Sequence, residues 1–177
     1  MDGLDALQSQ VGLGVDIVEI ERMRRVLSRT PRFRARVFSE AERAYCDATA
    51  APEVHYATRF AAKEAVVKAL GTGFSQGAID ARDIEVRRTS KGRPYVVLTG
   101  AALRIAREQG VREVPISLSY THTEAVACAL AITEDSLRAR EERENAPEEL
   151  ARRFKEARGM LDELPVAGGD ADESPAP

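Results

Sequence analysis

Glu64 and Lys68 stand four residues apart in FAAKEAVVKALGTG (Phe60–Gly73), a stretch that is otherwise apolar and ends in Gly-Thr-Gly. At about 100° per helical residue the two lie side by side, flanked by Ala61 and Ala65, while Arg59 and Lys63 share the neighbouring stripe. Two readings stand for the pair: a solvated ion pair contributing about 0.2–0.5 kcal/mol, or charges set into a buried helix where small neighbours let another group approach. Asp16, within VGLGVDIVEI, raises the same question, because a carboxylate among Val, Leu and Ile is costly to bury without a cation or hydrogen bonds. It either accepts local backbone N–H groups at a strand end or meets a cation. Asp16 and Glu64 together are also the minimum protein contribution to a Mg²⁺ site, since Mg²⁺ takes one or two carboxylates and completes its octahedron with phosphate oxygens and water. That combination points to phosphate chemistry.

Other residues fit the same chemistry less specifically. Gly71-Thr72-Gly73 reads as a helix C-cap, or as a turn whose backbone N–H groups face a phosphate. No G-x-x-x-x-G-K-[ST] is present, and Gly12-x-Gly14 lacks the third glycine of a dinucleotide fingerprint. His122, in YTHT, is a turn histidine or a donor suited by its neutral-range pKa to phosphate contact or proton transfer; His55 is assigned to a loop without a role. Arg22, Arg24, Arg25, Arg29, Arg32, Arg34 and Arg36 crowd one stretch. A run of this kind forms a solvated face, a nucleic-acid patch or a docking surface for an acidic protein. With no interleaved aromatics in a net acidic chain, an acidic protein partner fits better than nucleic acid.

The elements that must position these residues follow from pattern. VGLGVDIVEI alternates, with Val11, Leu13, Val15 and Ile17 on one face and Gly12, Gly14 and Asp16 on the other, so a strand is expected with room beside the carboxylate. Residues 22–36 read as helical with a turn at Thr30-Pro31. FSEAERAY carries a capping box, Ser39 with Glu42. Residues 47–55 read as a loop, and the long helix spans 57–70. DIEVRRT and PYVVLTG form a hairpin with Ile84 and Val86 inward, AALRIAREQG is a helix ended by Gly110, and VPISLSYTHTEAVACALAIT gives two strands around His122-Thr123. The expected fold is α+β, a mostly antiparallel sheet with packed helices.

Composition bounds the rest. At 177 residues the chain supports one domain with a real core. Cys46 and Cys128, far apart and outside any C-x-x-C, exclude a disulfide framework or zinc site. MDGLDALQSQ has neither basic nor apolar signal regions and no apolar run approaches spanning length, so a cytoplasmic protein without membrane contact is expected. The net charge of −3 hides an asymmetry: residues 134–177 carry 13 acids against 7 bases, whereas residues 1–133 carry 19 bases against 16 acids.

These residues carry a resemblance. GLGVDIVEIER and RFAAKEAVVKALGTG together, supported by RFRARVFSEAE, KGRPYV and ISLSYTHTEAVACALAI in order and spacing, are similar to the holo-[acyl-carrier-protein] synthase family, the bacterial type of 4′-phosphopantetheinyl transferase. The resemblance covers residues 11–133 and implies the 4′-phosphopantetheinyl transferase fold, as a homotrimer with sites at subunit interfaces. It implies Mg²⁺ on Asp16 and Glu64, with coenzyme A as substrate. A serine of the apo acyl carrier protein would attack the β-phosphate, releasing adenosine 3′,5′-bisphosphate in the service of fatty acid biosynthesis. Lys68 would neutralise charge on the pyrophosphate, and Glu64, directly or through a water on the metal, would take the serine proton. Arg59, Gly71, Thr72, Gly73, Arg93, Pro94, His122 and Thr123 would line the coenzyme A pocket, with Lys63 reaching the 3′-phosphate or a neighbouring subunit. Arg22, Arg32 and Arg36 would meet the acidic carrier protein.

The chain departs from the pattern at two places. DATAAPEVHYAT carries no lysine or arginine that would reach coenzyme A phosphates. The chain also runs past the last strand, so residues 1–133 are expected as the transferase domain, 134–164 as a charged helical extension outside catalysis, and 165–177 as a disordered acidic tail. The competing functions are a metal-dependent nucleotide pyrophosphate hydrolase using the same three residues and a non-catalytic carrier-protein-binding module.

Overall fold

A computed structural model of the chain describes residues 11–73, 79–138, 150–156 and 158. The chain divides into two units, residues 1–137 and 138–177. The first opens with β1 (Val11–Glu19), followed by helices α1 (Ile20–Arg29), α2 (Pro31–Val37), α3 (Glu40–Asp47) and the long α4 (Pro52–Ala69). A single 3₁₀ turn (Ala81–Asp83) leads into the hairpin β2 (Ile84–Arg88) and β3 (Pro94–Leu98); then come α5 (Gly100–Glu108), β4 (Val111–Glu113), β5 (Ile116–Tyr120) and β6 (Glu124–Thr133).

β6 is the axis of the main sheet. β1 runs antiparallel along it from Val11 opposite Ile132 to Glu19 opposite Glu124. β5 pairs with its other edge from Ile116 opposite Ala129 to Tyr120 opposite Ala125, and β4 joins at its end. The expected α+β class with an antiparallel sheet holds. β4 is an addition to the sequence reading, too short at three residues to show a period.

The inner face of the sheet is built from very small residues. Ala125, Ala127, Ala129 and Ala131 of β6 are buried there, beside Gly12 and Gly14 of β1. α4 lies in this trough so closely that a Cβ on Gly12 would fall 1.9 Å from the carbonyl oxygen of Ala69, and one on Gly14 1.9 Å from that of Ala65. The spacing is commensurate, because two strand residues span about 6.7 Å and four helical residues about 6 Å. α4 therefore descends along β1 in a fixed antiparallel register, and Phe60 packs with Phe33 of α2 at 6.0 Å between ring centroids.

α4 starts earlier than expected, with Pro52 in its first turn and His55 inside the helix rather than in a loop. Proline suits that position because its fixed φ and missing N–H cost nothing there. The Ser39–Glu42 capping box, the β2–β3 hairpin with Ile84 and Val86 buried, and the left-handed Gly110 after α5 follow the sequence reading. In the second unit, residues 150–156 are helical with Leu150 and Phe154 exposed; the expected segment 165–177 lies outside the described residues. Among the described residues no helix is long and apolar enough to cross a membrane.

Candidate functional site

The register between β1 and α4 brings three of the sequence-selected residues together. Asp16 follows Gly14 by two positions and points into the same trough, while Glu64 and Lys68 project from α4 toward it, long helical side chains leaning back to the helix N-terminus. Lys68 Nζ lies 2.8 Å from Asp16 Oδ1 and donates to the Val15 carbonyl at 3.0 Å. Glu64 is half-buried; burial pushes its carboxyl above the ordinary range, the Asp16 carboxylate pushes it further, and Lys68 opposes both. Two carboxylates that feel each other's charge and share one ammonium form a site deficient in positive charge.

Glu64 stands between two clefts. One of about 360 Å³ is lined by Asp16 and Glu64 together with Arg22, Met23, Phe33 and Phe60. On its other side Glu64 and Phe60 face Arg36, Ile79, Asp80 and Ala81 across about 390 Å³. Beyond Lys68, a third cleft of about 550 Å³ runs past Gly12, Gly71 and Gln109. Phosphoryl-type transfer asks mainly for positioning and charge neutralisation, and clefts lined by both apolar and charged side chains, Met23, Phe33 and Phe60 beside Asp16, Arg22 and Glu64, offer both.

The other sequence-selected residues divide by location. Gly71, at φ +66°, caps α4: its N–H reaches the Lys68 carbonyl at 3.0 Å, and Thr72 donates to the Val67 carbonyl through N–H at 3.0 Å and Oγ1 at 3.2 Å. The donors of Gly71 and Thr72 are thus spent on the helix end, which is the capping reading of that turn; Gly73 follows the cap. Arg93 and Pro94 sit at the tip of the β2–β3 hairpin, and His122 and Thr123 in the β5–β6 turn, where the Thr123 carbonyl accepts from Ile20 N at 2.8 Å. None of these four lines the clefts around Glu64. Arg24, Arg25 and Arg34 are engaged with Glu21 and Glu53, Glu19, and Asp47 and Tyr56 respectively. Arg22, Arg32 and Arg36 are exposed, with no ion partner among the described residues.

Lys63 corrects the expectation attached to it. Its side chain is fully buried, paired at 2.9 Å with the equally buried Glu42, and it donates to the carbonyls of Ala81, at 2.9 Å, and Ile84. An ammonium with its three protons engaged inside the protein has none left for a phosphate. From sequence alone Glu42 reads only as a cap. The signal that could reveal the pair is Lys63 itself, since a lysine among residues that read as core demands a buried counter-charge.

Arg59 is also interior, only 2% exposed, with its guanidinium 4.0 Å from the centroid of the Tyr45 ring. Nη1 donates to the His55 carbonyl at 3.4 Å, and buried Nε has no partner among the described residues. Arg88 approaches the same ring at 5.7 Å, and His55 meets it edge-on at 5.5 Å. Burial lowers the pKa of His55, and the charges of Arg59 and Arg88 lower it further. Arg59 and Arg88 thus gather positive charge around Tyr45, and neither lines the clefts around Glu64.

Among the described residues no group of three or more His, Cys, Asp or Glu side chains is arranged to hold a metal ion. The donor set at Glu64 is the two carboxylates alone, which suits a cation that draws its remaining ligands from phosphate and water.

The family model of the 4′-phosphopantetheinyl transferase superfamily matches residues 12–131. The chain is 50% identical over 123 residues to a holo-[acyl-carrier-protein] synthase of Moorella thermoacetica, covering 70% of this chain and 93% of the relative. To the enzyme of that name from Anaeromyxobacter dehalogenans it is 48% identical over 128 residues, covering 70% and 95%. Among solved structures it resembles holo-[acyl-carrier-protein] synthase of Neisseria meningitidis, with a TM-score of 0.62 at 32% identity over 68% of this chain and 96% of that one. The Bacillus anthracis synthase in complex with CoA (3′,5′-ADP) gives a TM-score of 0.58 at 30% identity over 71% and 99%.

Proposed function

The chain belongs to the 4′-phosphopantetheinyl transferase superfamily, and from that premise we propose that it transfers the 4′-phosphopantetheine group of coenzyme A to a serine of apo acyl carrier protein, giving holo-carrier protein and adenosine 3′,5′-bisphosphate. The observation that carries the reading is the meeting of Asp16 and Glu64 at one cleft, with Lys68 paired to Asp16 beside it, through the Gly12 and Gly14 contacts of β1 with α4.

Asp16 and Glu64 are the residues to hold Mg²⁺, and the site's surplus of negative charge fits it. When bound, the ion would supply electrostatic stabilisation to the pyrophosphate of coenzyme A. The chain's own groups do the remainder. As the serine oxygen bonds to the β-phosphorus, the bond from that phosphorus to the bridging oxygen breaks and adenosine 3′,5′-bisphosphate departs with the electron pair. Glu64, directly or through a water, takes the hydroxyl proton. Lys68, half-exposed and one turn away, faces the charge that gathers on the leaving phosphate.

Arg22 and Arg36 border the two clefts that meet at Glu64, and Arg32 lies on the same helical run; exposed arginines there support docking of an acidic carrier protein with its serine directed to the site. Arg93, Pro94, His122 and Thr123 lie apart from Glu64 within one chain, and a homotrimer in which a neighbouring copy brings them to the pocket accounts for them. The enzyme would work in the cytoplasm, in fatty acid biosynthesis.

The test is mass spectrometry of apo acyl carrier protein after incubation with coenzyme A and Mg²⁺, using the wild-type chain, Asp16→Ala and Glu64→Ala. Wild type should add one phosphopantetheine and both variants should fail. A mass shift that persists in both variants overturns the site, and release of adenosine bisphosphate without carrier protein favours the hydrolase reading.

A further inference from the structure

We propose that the buried Lys63–Glu42 ion pair is a positioning device for coenzyme A, acting through the backbone of residues 79–86; the inference rests on the transferase reading above. The pair joins three parts of the fold. Lys63 Nζ, on α4, is bonded to Glu42 Oε2 of α3 at 2.9 Å and to the carbonyls of Ala81 and Ile84. Glu42 in turn accepts the Ser39 amide at 2.9 Å and the Val86 amide at 3.0 Å. Every polar group on both side chains is therefore committed, and three of the partners belong to residues 81–86.

Stability alone does not explain such a pair. Exchanging a buried ion pair for apolar side chains of similar volume is often neutral or favourable, because two charges must be desolvated to form it. An apolar pair, however, holds no carbonyl in place. What the ion pair adds is directional: it fixes Ala81, Ile84 and Val86 against α4, and with them the wall Ile79–Ala81 that faces Glu64 and Arg36 across the second cleft.

The reacting constellation does not depend on it. α4 is seated on β1 by Gly12 and Gly14, and Lys68 reaches Asp16 on that side of the helix. Loss of the Lys63–Glu42 pair thus frees the wall while leaving Asp16, Glu64 and Lys68 in register. The consequence is a defect in binding rather than in chemistry. The substrate affected is coenzyme A, because the wall shares its cleft with Glu64, which is proposed to hold the ion on the pyrophosphate.

The double variant Glu42→Gln/Lys63→Met keeps one carbonyl acceptor, for either the Ser39 or the Val86 amide, and a side chain of similar length at position 63, while removing the charges and the donations to Ala81 and Ile84. In the full-length chain the expected result is a KM for coenzyme A raised about tenfold, with kcat within about twofold of wild type. A purely structural pair would instead lower kcat, through loss of active enzyme, at unchanged KM; that result, or unchanged kinetics, overturns the proposal. Hydrogen exchange on the wild-type chain decides the matter even where the variant fails to fold: coenzyme A should slow exchange at amides of residues 79–86, and absence of that protection overturns the proposal. Wild-type transfer is measured alongside, so a wild-type chain that makes no holo-carrier protein refutes the transferase reading, whereas normal transfer with an unaltered KM in the variant refutes only the positioning role.

Discussion

Lys68 Nζ lies 2.8 Å from Asp16 Oδ1, so the ammonium expected to face pyrophosphate rests on a carboxylate expected to hold metal. The arrangement is electrostatically sensible, because Asp16 and Glu64 repel each other and Lys68 offsets part of that repulsion. It also means that a divalent cation and Lys68 compete for Asp16.

Lys68→Met should accordingly bind Mn²⁺ or Mg²⁺ more tightly than wild type in the absence of coenzyme A, by several-fold, as read by calorimetric titration. Transfer should nonetheless fall by about a hundredfold, the scale for losing one preorganised electrostatic group at a reacting centre. Asp16→Asn/Glu64→Gln serves as the control that loses the metal. Weaker metal binding in Lys68→Met would show that Lys68 supports the ion instead of competing with it.

The same closeness makes Gly14 a sensitive position. A Cβ there would stand 1.9 Å from the Ala65 carbonyl oxygen and 2.7 Å from the Ala69 backbone nitrogen, both main-chain atoms of a packed helix. Gly14→Ala should separate β1 from α4, destabilise the fold by about 1–3 kcal/mol as overpacked cores do, and weaken metal binding because Asp16 moves away from Glu64. Urea unfolding together with Mn²⁺ titration checks both; an unchanged midpoint refutes the tight seating.

Glu64 carries a pH signature and a stability cost. Burial first, and then Asp16, raise its pKa in the folded chain above the unfolded value, so the protonated form is favoured by folding. The associated stability is fully present below the unfolded pKa and is lost as pH rises through the folded one. Glu64→Gln should therefore unfold at a higher temperature than wild type near neutral pH, with the difference shrinking as pH falls below the ordinary carboxylate range. Differential scanning calorimetry of the metal-free chain across pH measures the effect; a stability gain in Glu64→Gln that does not depend on pH contradicts the assignment.

Much of the site is legible in the sequence because its signals are local. The alternation that puts Gly12, Gly14 and Asp16 on one strand face, and the apolar setting of Glu64 and Lys68, each point to the inner trough without knowledge of the fold. Glu42 and Lys63 are not legible as partners. Glu42 satisfies a local rule, the capping box, that hides its second role, and the contact with Lys63 depends on how α3 crosses α4. The cluster of Arg59, Tyr45, His55 and Arg88 is hidden for a related reason: it draws on α3, α4 and β2, and no single stretch contains it. The start of α4 is misplaced from sequence because Pro52 in a stretch of small residues reads as a break, though proline is at home in the first helical turn.

The outer face of the sheet carries the last prediction. Val11, Leu13, Val15 and Ile17 are 47%, 63%, 46% and 60% exposed, and their partners across β6, Ile132, Leu130, Cys128 and Val126, are only half-buried. A continuous apolar strip on a sheet face marks an interaction surface, and the homotrimer proposed above would cover it. Size-exclusion chromatography with light scattering should give a mass near three times 19.4 kDa. Leu13→Asp places a charge in the middle of the strip, where burial without a partner is prohibitive, and should lower the mass toward that of the monomer. Because Arg93, Pro94, His122 and Thr123 lie away from Glu64 within one chain, the dissociated variant should also lose transfer activity, through a raised KM for coenzyme A, while its circular dichroism remains that of the folded chain. A monomeric Leu13→Asp chain with full activity would require those four residues to be irrelevant to the pocket and would place the complete site within a single copy.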